Sequence, residues 1–386
     1  MPGRGPVVTL EISHFHLMKA QGYRVFVAWR DLRFAKGRFA LMGTVIVLIT
    51  LLVGLLSGLT AGLGRQNISA ITGLPVNRIA FDAPGDRQEP SYSNSTVTEQ
   101  QWERWAEAPG VSSAEPLGIT LTKASAGTKS IGVSAFGVRP GSPLAPDSWK
   151  IDGRAVVLSS TAADDLGVIK GDAVTMAGQE MVVAAVSGDA SFSHTPVIWT
   201  SLNTWQQTTP PTGGRDELTA TVIAVNATSD ADLGAADEVA GTLSVSKADS
   251  LPAIGSYRSE NGSLQLMRGF LFAISALVIG AFFTVWTIQR SGDIAVLKAL
   301  GASTANLLKD ALGQALVLLA GGTLIGTAVA AGLGAVVGGS AIPFVLTPTV
   351  VLLPATVMIA LGALGAALSI RRITSVDPLT ALGSTR

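Results

Sequence analysis

The chain has no cysteine, three histidines (His14, His16 and His194) and few charges: Asp, Glu, Lys and Arg make up 14% of its 386 residues. Soluble domains carry about 25%. Without cysteine there is no disulfide framework, no thiolate metal site and no cysteine nucleophile. Three histidines leave little room for zinc chemistry. No Gly-x-x-x-x-Gly-Lys-Ser/Thr loop occurs; the nearest string, Gly127-Thr128-Lys129-Ser130, has the wrong spacing. A Gly-x-Ser-x-Gly elbow and a His-Glu-x-x-His helix are also missing. The residues therefore describe a non-enzyme with no intrinsic cofactor or metal. A net charge of zero, from 27 basic and 27 acidic residues, gives no reason to expect a nucleic-acid partner.

The missing charge has a location. Four runs carry none: Phe39 to Leu63, Gly269 to Gln289, Ala311 to Ile342 and Pro343 to Ile370. Each is long enough, at about 1.5 Å per helical residue, to cross a hydrocarbon core of about 30 Å. Pro343, Pro348 and Pro354 with Gly338-Gly339 separate the last two. The expected organisation is a cytoplasmic tail and elbow (1–38), a first span (39–64), an inserted domain (65–262) and a second span (263–289). A cytoplasmic segment (290–310), a third span (311–340), a fourth span (341–370) and a cytoplasmic tail (371–386) follow. The fold class is an α-helical membrane protein with four transmembrane helices and an inserted α+β extracytoplasmic domain.

Charge orients these pieces. Basic residues flank the first span on its N-terminal side (Arg30, Arg33, Lys36 and Arg38 among them), fill the short segment 290–310 (Arg290, Lys298, Lys309) and end the chain (Arg371, Arg372, Arg386). Short basic loops stay in the cytoplasm. Both termini are then cytoplasmic in a multi-pass plasma-membrane protein, and residues 65–262 lie outside. That insert has 13 basic against 22 acidic residues, a net of −9; the remainder has 14 against 5, a net of +9. The zero is a cancellation across a bilayer. Charged residues are essentially absent within the spans, which argues against proton- or ion-driven transport. Energy would come from a partner.

Val25 to Lys36 (VFVAWRDLRFAK) has the composition of an amphipathic helix lying in the membrane interface. In the insert, Asn77–Phe81, Ile131–Val138, Ala155–Leu158, Ala173–Met176, Met181–Val186 and Thr219–Val225 read as strands. Thr98 with Gln101 makes a capping box before Trp102 and Trp105. Thr161–Leu166 and Ala231–Leu243 read as helices. Gly/Ser/Pro clusters at 139–143 and 209–214 suggest subdomain boundaries. His194 is expected to be a surface or capping residue.

Small residues recur every four positions in two spans: Gly54, Gly58 and Gly62 in the first; Gly322, Gly326, Ala330, Gly334 and Gly338 in the third. Such stripes let helix backbones approach closely in lipid. Spacing does not say whether the partner helix belongs to the same chain or to a second copy. Four spans form a small bundle for moving a solute, which favours a homodimer.

The segment from Gln289 to Ser303 (QRSGDIAVLKALGAS) resembles the cytoplasmic signature of FtsX-like permeases of ATP-binding cassette (ABC) systems. Asp293 stands where that family usually has Glu. Ser375 to Leu382 (SVDPLTAL) resembles the family's closing motif, and Leu166 to Val174 (LGVIKGDAV) resembles the core of MacB-type extracytoplasmic domains. The resemblance covers about residues 24–386. It implies a homodimer working with two copies of a separate ATPase chain, which binds ATP. Asp293, Ile294, Leu297, Lys298, Leu300, Gly301 and Ala302 would form the coupling segment on which that ATPase acts. The short chain and the elbow string Arg30 to Phe34 look most like HrtB-type haem exporter permeases.

Haem as the transported substrate would need apolar walls, an axial ligand and a cation for a propionate. Near the outer ends of spans one and two, the candidates are Tyr257, Met267 and Glu260 as ligands and Arg258 or Arg65 as the cation. Gln66 is a further polar contact, with Leu59, Leu63, Phe270 and Leu271 as walls. The same family plan also admits two other tasks: mechanical activation of an extracellular hydrolase, and release of lipoproteins or lipids.

Overall fold

The computed structural model describes residues 36–83, 85, 89–208, 218–289, 292, 296, 301, 303–337 and 342–374. The elbow helix, the closing motif 375–382 and the subdomain boundary at 209–214 lie outside the described residues. The chain forms two compact units: Thr60–Leu266, and Met1–Leu59 with Met267–Arg386.

Among the described residues, four helices are long and apolar enough to cross a membrane. They belong to α1 (Lys36–Thr72), α6 (Gly255–Gln289), α7 (Thr304–Val337) and α8 (Pro348–Thr374). Helix α6 starts eight residues before the second span foreseen at 263–289, through a polar turn containing Ser256, Ser259 and Glu260. Helix α8 starts late. Residues 343–347 are not helical. Thr347 then caps the helix, its Oγ1 accepting from Val350 N at 3.3 Å, and Pro348 occupies the first turn, where a missing N–H costs nothing.

In the membrane unit the stripes of spans one and three meet within one chain. A Cβ on Gly322 would lie 2.7 Å from Ile46, and one on Gly326 would lie 2.7 Å from the Val47 carbonyl oxygen. A Cβ on Gly54 would lie 2.9 Å from Ala330, while Gly58 and Gly334 both face the ring of Phe344. The partners advance together along both helices, so α1 and α7 run parallel. Met42, Ile46, Val53, Ala315 and Leu319 build the core beside this seam with Ile279, Phe283, Met358 and Ala366. Thr50 and Thr323 are buried on α1 and α7, and their hydroxyls have no hydrogen-bond partner among the described residues.

The unit Thr60–Leu266 contains a ten-stranded sheet. Its strands are β1 (Arg78–Asp82), β3 (Val111–Ala126), β4 (Lys129–Val138), β5 (Ala155–Leu158), β6 (Ala173–Met176), β7 (Gln179–Val186), β8 (Ser191–Phe192), β9 (Thr195–Ser201), β11 (Val222–Ala227) and β12 (Thr242–Ser246). Two further strands, β2 (Val97–Thr98) and β10 (Thr219–Ala220), pair separately. The main order is β12-β1-β11-β3-β4-β9-β5-β7-β6, with β8 paired to β9. Strand β6 also pairs with β3, at Ala124–Met176 and Ser125–Thr175, so the six strands from β3 to β6 close into a barrel. Alternate residues of those strands fill it: Ala124, Val133, Ile198, Leu158, Val183 and Met176. Helix α3 (Ser160–Leu166) adds Ala162, Ala163 and Leu166 to the same core, and α4 (Leu202–Thr208) adds Leu202 and Trp205.

Sixteen-residue β3 joins two modules. Its first half pairs with β11 and its second with β4. On the β11 side, Trp102 and Trp105 of α2 (Glu99–Glu107) and Ala236 and Ala240 of α5 (Leu233–Ala240) cover one sheet face, beside Ile223 and Val225. Ala70, Ile71 and Leu74, at the end of α1, pack with Ile79, Phe81 and Val222 of the other face. The capping box forms as expected: Gln101 Oε1 accepts from Thr98 N at 2.8 Å.

Two expectations need correcting. The helix foreseen over Ala231–Leu243 ends at Ala240, because Gly241 turns left-handed (φ 68°); Leu243 lies in β12. Residues 139–143 do not divide the domain: they follow β4 on the way to β5, within the same continuous sheet.

Candidate functional site

Of the polar residues foreseen at the outer ends of spans one and two, Gln66 and Glu260 meet the tip of the β8–β9 hairpin, together with Asn67 and Ser256. Phe192 pairs with Thr195, leaving Ser193-His194 as a two-residue turn. Both have positive φ, 51° and 64°. This is the type I′ geometry that twisted hairpins prefer, which normally selects Asn-Gly. Non-glycine residues there cost about 1–2 kcal/mol each. The β6–β7 hairpin has the same turn type at Ala177-Gly178 (φ 49° and 83°), with glycine in its second position.

The Ser193-His194 tip is held from both helices. Ser193 N donates to Asn67 O at 3.0 Å and His194 N to Gln66 O at 3.2 Å, both on α1. His194 Nε2 lies 2.8 and 3.0 Å from the two carboxylate oxygens of Glu260 on α6, so that nitrogen donates. Asn67 Nδ2 lies 3.1 Å from the same nitrogen and donates to Glu260 Oε2 at 3.4 Å. Asn67 Oδ1 accepts from Ser256 Oγ at 2.7 Å, and Ser256 Oγ lies 2.9 Å from Ser193 Oγ. Asn67 is 1% exposed, whereas the His194 and Glu260 side chains are 30% and 44% exposed. His194, expected as a surface or capping residue, is the hub of a network. Neither it nor Asn67 carried a sequence signal, since their contacts span 127 and 66 positions.

The other expected haem contacts fall as follows. Arg65 pairs with Asp189 at 2.6 Å and Arg258 pairs with Glu89, all four exposed side chains. Such pairs are weak, about 0–1 kcal/mol, so either cation can exchange its carboxylate for another. Tyr257 packs its half-buried ring against the core that contains Ile71 and Phe81. Gln66 and Leu63 are half-buried. Leu59, Met267, Phe270 and Leu271 belong to the membrane unit; Met267 and Phe270 are exposed there, and Leu271 packs against the Phe283 core. A groove of about 460 Å³ opens in that unit between α1 and α7, lined by Gly43, Thr44, Val47, Gln314, Val317 and Gly321 among others. It contains none of the expected haem contacts.

Of the coupling residues, Asp293, Ile294, Leu297, Lys298, Leu300 and Ala302 lie outside the described residues. Gly301 is described. It is exposed and left-handed (φ 95°), and a Cβ there would meet nothing within 4 Å. That is the conformation of a helix-ending glycine.

Comparison with known proteins gives these features a context. Residues 39–243 match the model of the MacB-like periplasmic core domain, and residues 266–378 match the FtsX-like permease C-terminal model. A Staphylococcus haemolyticus permease named for a hemin transport system, HrtB, is 26% identical over 92% of this chain and 99% of its own length. An uncharacterised ABC transporter permease of Mycobacterium tuberculosis is 26% identical over 93% of this chain and 99% of its own. The solved periplasmic region of MacB from Actinobacillus actinomycetemcomitans aligns with a TM-score of 0.35 and 13% identity, covering 47% of this chain and 94% of that one. The chain belongs to the FtsX-like ABC transporter permeases, membrane proteins with a MacB-like extracytoplasmic domain inserted between their first and second spans.

Proposed function

We propose that the chain is the non-catalytic membrane subunit of a dimeric ABC exporter that takes haem from the membrane and expels it outward. Two copies would work with two copies of a separate ATPase, which binds and hydrolyses the ATP. Both termini, residues 290–310 and the coupling residues around Gly301 would face the cytoplasm of a cell-membrane protein. The observation that carries this reading is likeness along almost the whole chain to a permease named for hemin transport.

The outer ends of α1 and α6 supply chemistry suited to such a substrate. Tyr257, Met267 and Glu260 are the axial-ligand candidates. Arg65 and Arg258 already hold carboxylates on the protein surface, and a propionate is another carboxylate. Glu260 would have to leave His194 to bind iron.

The test is ATP hydrolysis by the purified permease–ATPase complex in lipid nanodiscs. Haem should stimulate it, and haem should show a shifted Soret band that weakens in Tyr257→Ala or Met267→Ala. No stimulation by any tetrapyrrole would remove haem. A knockout with chaining or division defects would instead favour mechanical activation of a hydrolase, and one that retains lipoproteins in the membrane would favour their release.

A further inference from the structure

We infer that Ser193-His194 is a releasable clasp on the outer ends of α1 and α6, closed in the resting protein and opened during each ATP-driven cycle. The inference rests on the reading of the chain as the membrane half of an ATP-driven complex, but not on haem as its substrate.

Three observations carry it. The first is strain. A type I′ turn made of Ser and His has two left-handed non-glycine residues, where the β6–β7 hairpin of the same domain uses glycine in the second position. Nothing within the hairpin requires histidine; Asn-Gly would make a more stable turn. Among the described residues, the contacts that hold the tip in place come from the helices: the carbonyls of Gln66 and Asn67, Ser256 and the Glu260 carboxylate. Strain of this kind persists where surrounding contacts over-determine a conformation, and it relaxes when they part.

The second is the kind of bond. The tie is polar and its His194–Glu260 arm is partly exposed, so water can replace each lost partner. An apolar brace would leave a cavity on opening; this one does not. Segments that move in function come from the low-stability end of a structure. The third is the base of the hairpin, which is firmly fixed. Thr195 Oγ1 donates to Phe192 O at 2.8 Å, and Ser134 Oγ of β4 lies 2.6 Å from Thr195 Oγ1. The barrel therefore carries the tip as a rigid peg, and the variable part is its grip on α1 and α6.

The chain has no cysteine, so an introduced pair is the only pair. Asn67→Cys with Ser193→Cys places the two thiols on residues whose backbones already share a hydrogen bond. Ser69→Cys with Ser191→Cys bridges the same two elements, where Ser69 Oγ accepts from Ser191 N at 2.9 Å, and serves if the first pair impairs assembly. Each full-length variant is co-expressed with its ATPase, reconstituted in lipid nanodiscs, oxidised, and assayed for ATP hydrolysis before and after reduction. The expected result is ready disulfide formation at rest, loss of ATP turnover in the oxidised complex and recovery on reduction. Failure of both pairs to crosslink at rest overturns the clasp. Undiminished turnover in the locked complex also overturns it, and identifies the tip as a permanent brace. No turnover even in the reduced wild-type complex overturns it together with the ATP-driven reading on which it rests.

Discussion

The two units use glycine in opposite ways. Among the described residues, eight of the nine glycines at positive φ lie in the outer domain, at turns and helix ends such as Gly167, Gly178 and Gly241; the ninth is Gly301. In the membrane unit Gly54, Gly322 and Gly326 are ordinary helical residues, chosen because a neighbour stands where a Cβ would be. Outside the membrane, water drives apolar side chains together and glycine serves the backbone's need to turn. Within lipid that drive is gone, and close approach of backbones is what remains to hold helices together. Gly118 and Gly137 are exceptions in the outer domain: both lie directly against the Trp205 indole.

The contrast predicts graded effects. Gly326→Leu should be the most damaging, because its Cβ alone would sit 2.7 Å from Val47 O and 2.9 Å from Thr50 Cβ. A loss of about 3 kcal/mol or more is expected from such overpacking, read as a lowered melting temperature in detergent. If the α1–α7 seam tolerated leucine, the space argument would fail. A Cβ at Gly301 would meet none of the described residues within 4 Å, so Gly301→Val acts mainly through backbone conformation, at about 1–2 kcal/mol. Normal dimer assembly with ATP hydrolysis no longer linked to transport is expected; unimpaired transport would remove Gly301 from the coupling segment.

Smaller effects sharpen the comparison from the other side. Thr50→Val removes a buried hydroxyl that has no partner among the described residues, so stability should hold or rise by up to about 1 kcal/mol in the same melting assay. A clear loss would mean that the hydroxyl is bonded in the bilayer. Ala177→Asn supplies the preferred first residue of the type I′ turn at Ala177-Gly178, and should stabilise the outer domain by about 0.5 kcal/mol. The same logic applied to the clasp, Ser193→Asn with His194→Gly, should relieve the turn but sever its tie to Glu260.

Legibility in the sequence followed the range of the interactions. The spans were plain because charge is excluded over more than twenty consecutive residues, a property of local composition. The seam between spans one and three was legible as spacing, though only the structure assigned both halves to one chain. Helix α5 was overrun because Gly241 sits in an otherwise helix-like string, and its left-handed turn leaves no mark in apolar periodicity. Strand β3 was hidden by Pro116 and Gly118, which interrupt its alternation. Barrel closure depends on Ala124 meeting Met176, and the clasp depends on Asn67, His194 and Glu260 meeting across the domain; no local pattern encodes either. Tyr257, Arg258 and Glu260 stand out in the sequence by their position beside a span. Glu260 proved to matter first as a partner of His194.

The closing of β6 onto β3 has a consequence for how copies of this protein can stand side by side. An open sheet held at high local density on a membrane invites strand exchange with its twin. Among the described residues, the main path of the sheet ends on one side at β12, its other end curls back into the ring, and two-residue β8 lies off the path on β9. Asp237 of α5 guards the β12 border: its carboxylate accepts from Ser244 N at 3.0 Å, and from the hydroxyls of Ser244 at 2.7 Å and Thr242 at 2.8 Å. A neighbouring molecule is thereby denied an easy ladder to extend at β12.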